Sequence, residues 1–158
     1  MNKKVFSNKF NTIISITAIV LMLIMVVSVF VTIGRLETTK TLKNREWEIA
    51  TIDINTGKEV ESKQHLVTKE YLKIEDFDVT LDEDATITYS LFFYTEEKNF
   101  MSYQSNLTAQ ELDKTLLVDG AKYVRVEITP QTVDSEPVEI NAFNKVKYTG
   151  QIKVVYGK

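Results

Sequence analysis

The chain is expected to be all-β: an antiparallel β-sandwich of jelly-roll type preceded by a single transmembrane α-helix. Three observations lead there. Residues 11–33 form an apolar run without one formal charge. From residue 46 onward, short runs alternating apolar with polar residues recur between turn-forming residues. Only one stretch beyond the apolar run, 108–117, has a helical texture, and it reads equally well as a loop.

The apolar run, Asn11 to Ile33, is twenty-three residues long. As a helix it covers about 34 Å, enough to cross a hydrocarbon core of roughly 30 Å. It exceeds the usual h-region of a cleaved signal, and its only alanine, Ala18, lies far from its end. A retained anchor is therefore expected. The head, residues 1–10, carries Lys3, Lys4 and Lys9 and no acid, while Arg35, Lys40, Lys43 and Arg45 follow the run. These flanks nearly balance, but a long C-terminal domain translocates largely regardless of charge and a short basic head stays inside. The expected arrangement is a cytoplasmic N-terminus and an extracytoplasmic domain. Residues 34–45 are polar and read as a juxtamembrane stalk.

Residues 46–158 are the predicted sandwich domain. Beyond the apolar run, sixteen Lys and Arg face twenty-two Asp and Glu, a net charge of −6. Such acidity opposes nucleic-acid binding, which needs clustered Lys and Arg. The chain has no cysteine, which removes disulfides, thiolate metal sites and cysteine nucleophiles.

The strand signals follow in order. Residues 47–54 (WEIATIDI) lead into Asn55-Thr56-Gly57-Lys58, a hairpin turn in which glycine supplies positive φ. Residues 70–75 and 77–81 read as two further strands, the second with Phe77, Val79 and Leu81 on one face. Residues 85–95 (ATITYSLFFYT) are the strongest strand, and aromatics on both faces near its end predict cover on both sides. Glu96-Glu97-Lys98-Asn99 turns the chain into 100–106. In 121–129, Val124, Val126 and Ile128 face inward and Tyr123, Arg125 and Glu127 outward, and Pro130 closes the strand. Residues 138–143 and 146–156 complete the series, with Gly150 expected at a bulge or bend. In 108–117, Thr108 and Glu111 have capping-box spacing.

Three segments taken in order carry a resemblance. They are Trp47 with Asn55-Thr56-Gly57 and Glu70-Tyr71-Leu72-Lys73-Ile74; Tyr89-Ser90-Leu91-Phe92-Phe93-Tyr94 with Lys98-Asn99-Phe100-Met101-Ser102-Tyr103; and Ala121-Lys122-Tyr123-Val124-Arg125-Val126. Together they resemble a β-sandwich module of tail and minor structural proteins of phages of Gram-positive bacteria, and of related bacterial surface proteins. The Tyr-Val-Arg-Val strand is similar to one in galactose-binding-like jelly rolls. The resemblance implies a jelly-roll module for adhesion or carbohydrate binding. Where such modules tend to carry arginines, this chain has Gln64-His65-Leu66-Val67.

Sugar sites in sandwiches stack rings on aromatic faces and grip hydroxyls with planar polar groups. Arg125, Trp47, Tyr94, Tyr103 and Tyr123 are the candidate ligand-binding residues on that chemistry. Two of them also have a plainer reading: Arg125 as a cross-strand ion pair or a stem over the sheet, Trp47 as core. No catalytic residues are predicted. There is one histidine, His65, and no Ser-His-Asp, G-x-S-x-G, HExxH or Walker spacing. No metal centre or other cofactor is assigned. The nearest approach is a structural calcium at Asp78, Asp82 and Asp84, with Asp76 and Glu83 beside them, against the alternative of a solvated turn.

The expected partners are a lipid bilayer through residues 11–33 and a glycan, wall polymer or protein bound by the domain, with no nucleic acid. The expected function is non-enzymatic recognition from the membrane. The alternative is an assembly subunit of a membrane complex that makes contact through a sheet edge or face.

Overall fold

The computed structural model describes residues 19–26, 39–132, 136 and 138–157. The chain divides into two units, Met1–Thr38 and Thr39–Lys158. In the first, residues 19–26 are helical and exposed. The rest of the apolar run and the basic head lie outside the described residues. Among the described residues no helix is long and apolar enough to cross a membrane.

The second unit is all-β, antiparallel and rich in sheet, as expected, with pairing compatible with a sandwich. Its strands are β1 (Thr39–Thr41), β2 (Trp47–Ile49), β3 (Thr51–Ile52), β4 (Glu59–Val60), β5 (Leu66–Thr68), β6 (Leu72–Leu81), β7 (Ile87–Tyr94), β8 (Phe100–Leu107), β9 (Tyr123–Pro130) and β10 (Ile152–Gly157). β9 is the hub. It pairs along its whole length with β7 on one side, and with β5 and the start of β6 on the other. β8 continues beyond β7, β2 beyond β5, and β10 then β1 beyond β6.

Alternation along these strands divides the apolar side chains between two faces. The large core takes Tyr89, Leu91 and Phe93 from β7 and Val124, Val126 and Ile128 from β9. Against them pack Phe77, Val79 and Leu81 of β6 and Ile152 and Val154 of β10. The opposite face of β7 puts Phe92 and Tyr94 into a smaller core with Ala50, Ile52 and Val67. Every residue of β7 is buried, so this strand is covered on both sides over its full length.

Several local expectations change. Residues 39–45, read as stalk, belong to the sheet unit: β1 pairs with β10 through the backbone, a contact that leaves no apolar alternation to read. The runs 70–75 and 77–81 are one strand, β6. Asp76, at φ 55°, lies where the register against β10 shifts, and across it the buried parity switches from Leu72 to Phe77. Residues 108–117 form no α-helix. Gln110 and Leu112 bond the edge of β6 instead, and Asp113 caps a single 3-10 turn at Lys114–Leu116. Residues 138–143 are not a strand. Lys145–Thr149 is a short α-helix, and Gly150 closes it at φ −75° rather than making a bulge. β5, for which the sequence carries no strand signal of its own, is fully buried.

Candidate functional site

Of the residues singled out for ligand binding, Arg125, Tyr94 and Tyr123 lie on the face of β7 and β9 away from the large core, and Arg125 and Tyr94 are consumed there by structure. Arg125 stands on β9 with its side chain outward, as its alternation requires, yet it is only 4 % exposed. The hairpin of β3 and β4 lies over that face. Arg125 Nε donates to Thr68 O (2.8 Å), and Nη2 donates to the same carbonyl and to Glu59 Oε2 (2.8 Å) and Glu48 Oε1 (3.3 Å). Its guanidinium carbon sits 5.6 Å from the Tyr71 ring centre. One cation therefore ties together β9, β5, β2 and β4. The plainer reading of Arg125, a cross-strand ion pair, describes this geometry.

Glu127, two residues on and on the same face, does the matching work for β3. Its Oε2 accepts from Thr51 Oγ1 (2.6 Å) and Ile52 N (2.9 Å). The hairpin turn is organised by Asp53, whose Oδ1 accepts from the backbone N–H groups of Asn55 and Thr56 (2.9 and 2.8 Å). These bonds hold its carboxyl below the ordinary range. Gly57 takes φ 66°, as the turn demands, and Tyr94 OH donates to its carbonyl (2.9 Å). Burial pushes the Tyr94 phenol far upward, so it stays a neutral donor. Desolvation raises Glu48 above its usual value, as does the neighbouring Glu59, while Arg125 and Lys69 oppose both.

Trp47 is core, 2 % exposed in the large cluster. Tyr94 is buried beneath Tyr71 in an edge-to-face contact, with centroids 4.7 Å apart. Tyr103 is the candidate left open: it lies on β8, is 37 % exposed and stacks on Phe92 at 5.9 Å. Tyr123 is half-buried. With Lys73, Ile74, Glu75, Glu96 and Lys122 it lines an open cleft of about 230 Å³. Lys98 extends over the rings of Tyr71 and Tyr123. The five candidates therefore do not form one grip.

His65 pairs through Nδ1 with Ser62 Oγ (2.8 Å) and is half-buried. Asp78 pairs with Lys114 at 3.1 Å and caps Val79 N. Among the described residues, no group of three or more acids and histidines is placed to hold a metal ion.

Sequence reading misses one feature. Phe143, in the turn before the short helix, is 96 % exposed, and Val146 in that helix is also exposed. The turn is rigidly built. Asn141 Oδ1 accepts from Phe143 N (2.9 Å) and Asn144 N (3.1 Å), while Asn144 Oδ1 accepts from Asn141 N (2.8 Å) and its amide donates to Glu139 O (3.0 Å). The helix behind it is fixed by buried Tyr148, by Thr149 Oγ1 donating to Asn44 Oδ1 (2.8 Å), and by Lys145 Nζ donating to Trp47 O. The signal is present in the sequence as Asn141-Ala142-Phe143-Asn144, an aromatic between two turn-forming asparagines.

No family model matches this chain, and neither does any curated protein or solved structure.

Proposed function

We propose that this chain is a membrane-anchored recognition module. Residues 11–33 hold it in the bilayer, and the sheet domain, a jelly-roll-type sandwich on the extracytoplasmic side, binds a partner protein without catalysis. The observation that carries this reading is the Phe143 turn. Leaving a phenylalanine almost wholly in water forfeits the transfer free energy that its burial would supply, about 1.5–3 kcal/mol. The turn's reciprocal asparagine bonds spend further order on holding it there. A rigid exposed aromatic is the side chain that fills a partner's pocket at low entropic cost. The chain enters the domain at Thr39, paired with Gly157 at the far end of β10, whereas the Phe143 turn leads into the beginning of β10. The turn therefore stands at the end of β10 away from the point of entry.

Kinship with phage tail or galactose-binding-like modules remains part of this proposal only at the level of architecture. A second reading, recognition of a glycan or wall polymer, rests on the cleft beside Tyr123, where an aromatic face and four charged groups meet.

The two readings separate in one experiment on the full-length chain in its native membranes. A photo-crosslinking residue is placed at 143 and, in a second variant, at 123. A discrete protein adduct from 143 alone supports protein recognition. Retention by wall polymer, lost in Tyr123→Ala and kept in Phe143→Ser, would replace it with the glycan reading.

A further inference from the structure

Among the described residues the sheet has three edges with very different chemistry. β1 and β2 are three residues long and carry Lys40 and Glu48, the short charged form in which proteins normally leave an edge. β8 is eight residues long, pairs only with β7 among the described residues, and contains no charge and no proline (FMSYQSNL). Met101 and Tyr103 on it are 38 % and 37 % exposed. A long neutral edge is a template for another strand.

We propose that β8 is the edge along which two copies of this chain join, antiparallel, to continue one sheet through the other. The pairing irregularities of β8 against β7 fall toward its two ends, so Ser102, Tyr103 and Gln104 form the regular stretch. A two-fold axis at Tyr103 then sets Tyr103 beside its own copy, Ser102 against Gln104 and Met101 against Ser105. The first is an aromatic pair and the other two are uncharged, and none opposes like charges, which would destabilise a sheet. Lack of charge is what selects a second copy as the occupant. On a domain of net charge −6, this is a strand that a copy can approach without local repulsion, and a charged partner strand would find no counter-charge on it. The contact is isologous and closes at two copies. It is independent of what Phe143 binds.

The absence of cysteine allows a direct test on the full-length chain. Single cysteines are introduced at Tyr103, Ser105 and, as a control edge, Lys40, and membranes are treated with a mild oxidant. The mass of the detergent-solubilised wild type and of Ser105→Lys is measured in parallel. The proposal expects a disulfide dimer at Tyr103→Cys, little at Lys40→Cys, a dimeric wild type, and at least tenfold weaker dimerisation in Ser105→Lys. Ser105 is exposed, so that variant leaves the fold intact. A monomeric wild type would overturn the proposal. So would a dimer that survives Ser105→Lys and crosslinks no better through β8 than through Lys40, because it would be held elsewhere.

Discussion

Arg125 shows how a residue with binding chemistry becomes structural. A guanidinium gives up much of its hydration when buried, and the loss is made good only if its donors are met. Here they meet one backbone carbonyl and two carboxylates. Arg125→Met would leave Glu48 and Glu59 facing each other and Thr68 O without its donors. A loss of about 3 kcal/mol is expected, measured as a lower urea midpoint. If Arg125 were instead a ligand grip, the variant would keep its stability.

Glu48 adds a pH dependence whose sign is fixed. Burial and Glu59 raise its folded pKa above that of the unfolded chain, so the folded state binds the proton more tightly. Stability therefore falls as pH rises from the ordinary carboxylate value through the raised one. Glu48→Gln keeps an acceptor for Arg125 and removes this dependence, which urea midpoints from about pH 4 to about pH 7 would show as a flatter profile. Asp53 and Asp113 act on the acid side, because backbone hydrogen bonds hold both below their usual values. Their contribution is in place above those values and is lost as pH falls, in wild type and variant alike.

At the scale of elements, the β3–β4 hairpin is a cover clipped to the sheet by Arg125 and Glu127 and seated on Tyr94 and Phe100. A Cβ on Gly57 would lie 2.4 Å from the Phe100 side chain, which fixes how closely the turn packs. Glu127→Ala removes the one oxygen that accepts from both Thr51 and Ile52, at a cost of about 1–3 kcal/mol. The loss should be local. Amide exchange is expected to quicken across 51–60 while β7 and β9 stay protected, and uniform quickening would show that the hairpin belongs to the core's cooperative unit.

The same scale explains what could be read in advance. β7 and β9 were legible because both their faces follow period-two alternation, and the hairpin because Asn55-Thr56-Gly57 names its turn. β1 and β5 were not, since three-residue strands carry too little pattern. β6 was legible as two halves because Asp76 breaks the parity. The outward position of Arg125 was readable from its neighbours. Its partners, separated from it in sequence by 57 to 77 residues, were not, and they decide that the candidate grip is a clamp. The helix at Lys145–Thr149 was hidden by β-branched and aromatic residues whose preference its packing against Asn44 and Trp47 overrides.

At the scale of the molecule, the sheet domain has two outward-facing features, the bonded turn that carries Phe143 and the neutral edge of β8, and the proposed anchor precedes it in the chain. If residues 11–33 tether copies in one membrane, as proposed, their effective concentration rises and weak contacts at either feature suffice. The central claim is that Phe143 is displayed on the extracytoplasmic side. The most direct measurement uses the cysteine-free background: Phe143→Cys in the full-length chain, treated on intact cells with a membrane-impermeant maleimide. Labelling before lysis equal to labelling after it is the expected result. A cysteine reached only once the cells are broken would place the domain on the cytoplasmic side and contradict the account.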